Sequence, residues 1–172
     1  MRARFDELPD LSVMETVMRV NFWGSVYCTH FALQHLRATK GRIGTIISGG
    51  GIFAAPGAIG YGASKHALVG FFNTLRVELA DSGVSITLFY PDWVETGISA
   101  RAPGADGTPY GKTISHERGA MSPQACARLI LKTVAKRKRE SMSLRIKLGR
   151  FLAPILPGTI DNVVVKAFAE AD

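Results

Sequence analysis

Apolar residues recur along the chain at two spacings, which together predict alternating strands and helices. The runs 42–48 and 84–90 are short, apolar and rich in β-branched residues, as buried strands are, and Pro91 ends the second run. The segment 61–82 between them is predicted to be a helix, because its large apolar residues fall on one face: Leu68, Phe72, Leu75 and Leu79.

Capping signals predict two more helices. Ser12 and Glu15 have the spacing of a capping box, which predicts a helix from about residue 13 to residue 38. Ser122 as N-cap and Pro123 as the first helical residue predict another helix that ends near residue 138.

The other segments complete an α/β pattern. Apolar and polar residues alternate over 142–148, which favours a one-faced strand, and a final amphipathic helix is expected over 159–169. Residues 97–121 have glycines, prolines and few large apolar side chains, which predicts a long loop. The 172 residues are therefore expected to form a single domain, a parallel sheet covered by helices.

Composition excludes several classes of protein. The two cysteines, Cys28 and Cys126, form no CxxC pair, and the four histidines show no HxxxH spacing, so neither a disulfide scaffold nor a metal site is expected. The first ten residues are polar, and the uncharged run 43–64 is rich in glycine, so neither a secretory leader nor a membrane span is expected. A cytoplasmic protein is the expectation.

The net charge of +7 is concentrated in one C-terminal stretch. Nine Lys or Arg and one Glu lie between Arg128 and Arg150, whereas acids and bases nearly cancel elsewhere. A solvated helix C-terminus is the favoured interpretation, and contact with an anionic membrane surface is the alternative. Nucleic acid is not expected as a partner, because no aromatic residue interleaves the basic run.

Tyr61 and Lys65 form a YxxxK pair at the start of the second predicted helix. The i, i+4 spacing puts both side chains on one face, where an ammonium would stabilise the phenolate and fit Tyr61 for proton transfer. By itself the pair is a weak signal, since such pairs also occur as surface decoration.

Two polar residues raise the interest of this pair. Ser48 ends a predicted buried strand, where the ligand clefts of open α/β sheets lie, although a serine there is often only a turn former. Asn21 interrupts an apolar helix, where an amide is costly unless it is hydrogen-bonded, and a structural bond to a neighbouring carbonyl is the simpler explanation.

Together these positions resemble the catalytic tetrad of the short-chain dehydrogenase/reductase family: Asn21 (in NFWG), Ser48, Tyr61 and Lys65. Gly51 resembles the glycine after the family's catalytic serine. The segment 91–96 (PDWVET) resembles the family's PGxVxT segment, which contacts the nicotinamide carboxamide. The sequence NFWGSVY looks most like hydroxysteroid-dehydrogenase-like members.

The resemblance implies the C-terminal part of a doubly wound, Rossmann-type sheet and an NAD- or NADP-dependent interconversion of a carbonyl and a secondary alcohol. It implies that Tyr61 transfers a proton and that Ser48 hydrogen-bonds the substrate oxygen. Lys65 would lower the Tyr61 pKa and bind the nicotinamide ribose, and Asn21 would hold a water. The implied cofactor contacts are Tyr61, Lys65, Pro91, Val94 and Thr96.

The chain departs from the family pattern in two places. Asp92 stands where the family has glycine, which puts a carboxylate beside the expected nicotinamide site. No strand and glycine-rich turn precede the first helix, and the run 49–54 (GGGIFA) is dismissed as a substitute because Pro56 and Gly57 prevent a helix from starting there. The DNA upstream of Met1 is therefore expected to continue in frame into a TGxxxGxG motif.

A non-catalytic alternative stays open: a truncated module of the family that serves dimerisation or binding. The resemblance implies a homo-oligomer whose interface uses the first two helices, with Phe71, Phe72 and Leu75 packed between copies or within one chain.

Overall fold

The computed structural model describes residues 1–113 and 120–169 and contains a three-stranded parallel sheet. The strands are β1 (Arg42–Ile46), β2 (Ser85–Tyr90) and β3 (Glu140–Met142), in the order β1-β2-β3. Arg42 is in register with Ser85, and Leu88 with Glu140. The α/β class with a parallel sheet is confirmed.

Helices connect and cover the strands. The first predicted helix is present as α1 (Ser12–Met18) and α2 (Gly24–Ala38), joined without a break by a π-helical turn, Arg19–Trp23. The helix α3 (Ile59–Glu78) connects β1 to β2. The later helices are α4 (Ile98–Arg101), α5 (Pro123–Ala135), α6 (Leu144–Leu152) and α7 (Pro157–Ala169).

The core lies between α3 and the sheet. Leu68, Phe72 and Leu75 of α3 and Leu79, its C-cap, are all buried, and they pack with Ile86, Leu88 and Tyr90 of β2. A smaller cluster joins the N-terminal arm to α1 through Met1, Ala3, Val13 and Val17. The sheet edge that carries Ser48 is therefore fixed from one face by α3.

Three predictions of local structure are corrected. The first helix is capped by Asp10, whose carboxylate accepts from the Ser12 backbone N–H at 2.8 Å, so Ser12 lies inside the helix and forms no capping box. The predicted strand 142–148 ends at Met142, because the Ser143 side chain caps α6 by accepting from the Ile146 N–H at 3.3 Å. The predicted loop 97–121 contains α4, and its residues 114–119 lie outside the described ranges.

The basic stretch 128–150 is divided among three elements and the turns between them. It includes the end of α5, β3 and most of α6. In the turn before β3, the Arg137 guanidinium donates to the backbone carbonyls of Lys40 and Gly83, which fastens the turn to the start of the sheet. Within the described residues, no helix has the length and apolar character needed to cross a bilayer.

Candidate active site

Ser48 and Tyr61 meet at the carboxyl end of β1. Ser48 follows the strand and opens a tight glycine turn, in which its hydroxyl accepts from the Gly50 N–H at 3.1 Å. Tyr61 lies in the first turn of α3, and a Cβ at Gly50 would stand only 3.1 Å from its ring. The turn therefore brings the phenol and the serine hydroxyl together because Gly50 has no side chain.

Lys65 lies one helical turn beyond Tyr61 and joins the same site. Its Nζ donates to the carbonyl of Ile46, the last residue of β1, at 2.9 Å, and stands 5.6 Å from the centre of the Tyr61 ring. Gly51 permits this approach, since a Cβ there would lie 2.4 Å from Ile47 Cγ2 and 3.4 Å from Lys65 Cβ. The glycine expected after the serine is therefore required here because no side chain fits at position 51.

Burial shifts both ionisable groups of the site toward their neutral forms. Desolvation raises the pKa of the Tyr61 phenol above 10.0, and a hydrogen bond with the Ser48 hydroxyl offsets only part of this rise. Desolvation also lowers the pKa of the Lys65 ammonium from 10.5. The expectation that Tyr61 has a lowered pKa is wrong for this chain, because burial dominates the effect of its neighbours.

Asn21 reaches the site through a residue that the sequence analysis missed. Its Nδ2 donates to the hydroxyl of Ser64 at 3.0 Å, and that hydroxyl donates to the Tyr61 carbonyl at 2.7 Å. Ser64 is fully buried, and Asn21 lies in the π-helical turn, a distortion that is frequent at functional sites. The amide is thus satisfied by a hydroxyl instead of the neighbouring carbonyl considered from sequence.

The predicted cofactor segment lies at the same end of the sheet. Ser48 and Pro91 are each two residues beyond the register pair Ile46–Phe89. Beyond Pro91, Val94 forms a backbone bridge with Met121, and the Thr96 carbonyl accepts from the Arg101 guanidinium at 2.7 Å. Within the described part of the chain, no hydrogen bond joins Pro91, Val94 or Thr96 to Tyr61 or Lys65.

Asp92, which replaces the family glycine, turns toward α6. Its carboxylate accepts from the Ser143 hydroxyl at 3.0 Å and pairs with the Arg145 guanidinium. The carboxylate is therefore paired with the start of α6 and links that helix to the end of β2.

The structure brings Ser48, Tyr61 and Lys65 together and connects Asn21 to them through Ser64. The sequence shows only that Ser64 lies three residues after Tyr61, so that the two are neighbours on the helix surface, and its bond to Asn21 depends on the tertiary structure. The Ile46 carbonyl that holds Lys65 is a backbone atom and leaves no sequence signal.

Comparison with known proteins agrees with this geometry. The family model described as short chain dehydrogenase matches residues 1–105, well over half of the chain. The chain belongs to the short-chain dehydrogenase family. The family expectation from sequence is confirmed.

Two curated relatives define how much of the family the chain represents. It is 39% identical over 142 residues to a dehydrogenase/reductase SDR family protein 7-like of Anopheles gambiae, covering 82% of this chain and 42% of the relative. It is 45% identical over 95 residues to 11-beta-hydroxysteroid dehydrogenase A of Arachis hypogaea, covering 55% of this chain and 27% of the relative. The chain thus spans less than half of the length of each.

A solved short chain dehydrogenase from Burkholderia cenocepacia, in complex with NADP, has the same fold. The TM-score is 0.72 at 17% identity, over 95% of this chain and 63% of that one. This likeness confirms that the parallel sheet and its helices are Rossmann-type.

The described residues of this short-chain dehydrogenase fit only one end of a nicotinamide dinucleotide. Lys65 and the segment after β2 lie at the same end of the sheet, where an ammonium and backbone groups are available to a ligand. The glycine turn Gly49–Gly51 is followed by a helix only at Ile59, so it does not form a pyrophosphate site at a helix N-terminus. The dismissal of the run 49–54 agrees with this geometry.

Proposed function

We propose that this chain is the catalytic part of an NAD(P)-dependent oxidoreductase that interconverts a carbonyl and a secondary alcohol. The observation that supports it best is the grouping of Ser48, Tyr61 and Lys65 at the carboxyl end of β1 in a chain of this family. Support also comes from a relative that is an 11-beta-hydroxysteroid dehydrogenase and from a solved short chain dehydrogenase of the same fold in complex with NADP.

In this mechanism, Ser48 and Tyr61 hold the substrate oxygen. The Ser48 hydroxyl donates a hydrogen bond to that oxygen, and the Tyr61 phenol gives it a proton during reduction or removes one during oxidation. The high pKa of the buried phenol suits the protonated, donating state. The nicotinamide, when bound, supplies or accepts the hydride.

Lys65 and Asn21 support Tyr61. The Lys65 ammonium, held by the Ile46 carbonyl, would stabilise the phenolate and hydrogen-bond the ribose hydroxyls of the cofactor. Asn21 acts as a positioning residue, because its bond to Ser64 fixes the Tyr61 backbone. Pro91, Val94 and Thr96 would line the nicotinamide end from the next strand.

The test is carbonyl reduction with NADPH or NADH by the protein expressed from its full reading frame, compared with its Tyr61→Phe variant. Loss of the phenolic hydroxyl removes the proton donor and is expected to reduce kcat by at least about 100-fold, while cofactor binding followed by nicotinamide fluorescence persists. Tyr110→Phe, at a tyrosine of the loop after α4, is the matched control and is expected to retain full activity. Undiminished turnover in Tyr61→Phe would contradict the mechanism.

The outer face of α2 favours a second role in self-association. Phe72 and Leu75 are buried in the chain's own core, and Phe71 packs edge-on against Phe22, so the expected interface residues are largely occupied. The π-helical turn and α2 instead expose an apolar stripe made of Val20, Trp23, Tyr27 and Phe31. We propose that homo-oligomers form through this stripe.

Sedimentation equilibrium tests this interface. Val20→Ser combined with Phe31→Ser is expected to shift the chain to monomer, whereas Leu131→Ser, at an exposed leucine of α5, leaves the association unchanged. An unaltered mass for the double variant would exclude this stripe as the interface.

A further inference from the structure

The helix α6 exposes an apolar stripe on the side opposite its contact with the core. It rests on the protein through Ile146, which is 4% exposed, and through Gly149, where a Cβ would lie 2.6 Å from the Phe53 ring. Leu144, Leu148 and Phe151 are 71%, 54% and 68% exposed. At 3.6 residues per turn these three fall on the face opposite Ile146, and we call them the outer stripe of α6.

The outer stripe continues past the helix end. Ile155 and Leu156, in the connection to α7, are exposed apolar side chains, and Ile155 extends the same helical spacing. A buried helix would turn these side chains inward, so this face lacks a covering element among the described residues.

Cations border the outer stripe. Residues 143–160 contain three basic side chains, Arg145, Lys147 and Arg150, and no acid. Arg145 and Lys147 lie on opposite flanks of the stripe in the helical projection. Arg145 pairs with Asp92 and Arg150 with Glu140, yet their side chains remain 70% and 46% exposed, so both still reach solvent.

We propose that the outer stripe of α6 binds the surface of an anionic lipid bilayer, independently of the proposed catalytic function. An apolar face bordered by cations is the pattern of a helix that lies in the membrane interface, with its apolar side chains among the acyl chains and its cations at the headgroups. Anionic headgroups complement the basic flanks.

A second copy of the chain fits this face less well. A nine-residue helix is only about 14 Å long, so its stripe offers far less than the ~800 Å² per partner of a stable interface. In a two-fold contact, the cationic flanks of two copies would also face like charges.

Vesicle flotation of the 172-residue chain tests the proposal. We expect binding to phosphatidylcholine vesicles that contain a minority of phosphatidylserine and much weaker binding to pure phosphatidylcholine. Leu148→Ser combined with Phe151→Ser is expected to reduce binding about tenfold or more, because two side chains no longer enter the interface. Leu131→Ser combined with Val77→Ser, at exposed apolar residues of α5 and α3, is the matched control and should bind normally.

The charge contribution is tested separately. Lys147→Gln is expected to weaken binding about fivefold, and Lys132→Gln, which removes an exposed lysine of α5, less. Far-UV circular dichroism of each variant should match that of the unmodified chain, since only exposed side chains change.

Insertion of α6 into the bilayer is followed by quenching of tryptophan fluorescence. Tryptophan fluorescence of Phe151→Trp should be quenched by lipids with brominated acyl chains more strongly than that of Leu131→Trp, which corrects for Trp23 and Trp93. Equal quenching of the two variants would show that α6 does not enter the bilayer and would overturn the proposal.

Other outcomes also overturn it. Vesicle binding that the Leu148/Phe151 variant retains, or that is abolished by raising salt from about 0.1 to 0.5 M, would reduce the contact to charge attraction by the basic stretch. An absence of binding to both vesicle types would exclude the membrane. Concentration-dependent dimers that disappear in the Leu148/Phe151 variant would make the face an interface between copies.

Discussion

The helices α3 and α6 both carry apolar side chains at helical spacing, but α3 buries its stripe whereas α6 exposes most of its apolar residues. In α3, Leu68, Phe72 and Leu75 are buried against the sheet. In α6, Ile146 alone is buried, while Leu144, Leu148 and Phe151 face solvent. The comparison shows that periodicity defines which residues share a face, whereas the neighbouring elements decide which face is covered.

The two helices also differ in how they relate to the candidate site. The first turns of α3 carry Tyr61 and Lys65 at the end of β1, so the helix that holds the core together also holds the candidate site. The helix α6 meets this part of the fold through Asp92, which binds Ser143 and Arg145. Substitutions in α3 should therefore affect stability more strongly than most substitutions in α6.

Among the substitutions that test this comparison, Phe72→Ala is expected to lower the free energy of unfolding most. Removing a buried ring from the inner face of α3 is expected to lower the free energy of unfolding by about 3–5 kcal/mol, as transfer and cavity costs add. Urea denaturation followed by circular dichroism measures it. Val77→Ala on the outer face of the same helix, 76% exposed, should change stability by less than about 0.5 kcal/mol. Similar losses in both variants would mean that α3 is not packed as described.

Ile146→Ala sharpens the comparison from the side of α6. Ile146 is the contact of this helix with the main core, so its truncation is expected to cost about 2–4 kcal/mol by the same denaturation experiment. Leu148→Ala, two residues away on the outer stripe, should leave the unfolding midpoint nearly unchanged. A large cost at Leu148 would place the stripe inside the fold.

Gly51→Ala tests how closely the serine turn packs on α3. An added methyl group would meet Ile47 Cγ2 at 2.4 Å, so overpacking is expected to cost about 1–3 kcal/mol and to displace Lys65. Gly49→Ala is the matched control, because a Cβ there meets nothing within 4 Å. Thermal melts of the two variants should separate clearly, and coincident melts would contradict the tight approach of turn and helix.

The same two helices show what sequence can predict. The stripe of Leu68, Phe72, Leu75 and Leu79 is unambiguous in the sequence, since its spacing fits only a helical period. Over 142–148 the apolar positions alternate, which fits a strand, yet Leu144 and Leu148 lie on one face of α6 and Ile146 on the other. The alternation arose because α6 has apolar residues on two opposite faces. Ser143 was the overlooked signal, since a serine before such a run is a preferred N-cap.

The sequence predicts which side chains form the candidate site. It does not predict the direction of the Tyr61 pKa shift or the link through Ser64. Ser48, Tyr61 and Lys65 are reactive residue types at a recognisable spacing, and the structure groups them. Ser64 links Asn21 to Tyr61 only because the π-helical turn and α3 lie side by side. The sign of the Tyr61 pKa shift depends on burial, which the tertiary structure determines.

Lys65→Met is expected to have the smallest effect on the free energy of unfolding. The pH dependence of that effect tests whether the Lys65 ammonium is buried. Burial lowers the pKa of Lys65 in the folded chain from 10.5, so protonation of the folded state is penalised at neutral pH. The penalty is full below the folded pKa and disappears as the pH rises from the folded pKa to 10.5. The unmodified chain should therefore gain stability relative to Lys65→Met across this window.

The measurement is urea denaturation of the chain with Lys65 and with Lys65→Met between neutral pH and about pH 10.5, both in a Tyr61→Phe background. This background is needed because Tyr61, with its raised pKa, loses stability as the pH passes above 10.0 and would oppose the lysine. The bond to the Ile46 carbonyl is missing from Lys65→Met at every pH, so the slope of the difference, and not its absolute value, carries the result. Lys132→Met at the surface of α5 should give a flat difference. A flat difference for Lys65 as well would mean that its ammonium is fully solvated, which would contradict its place within the site.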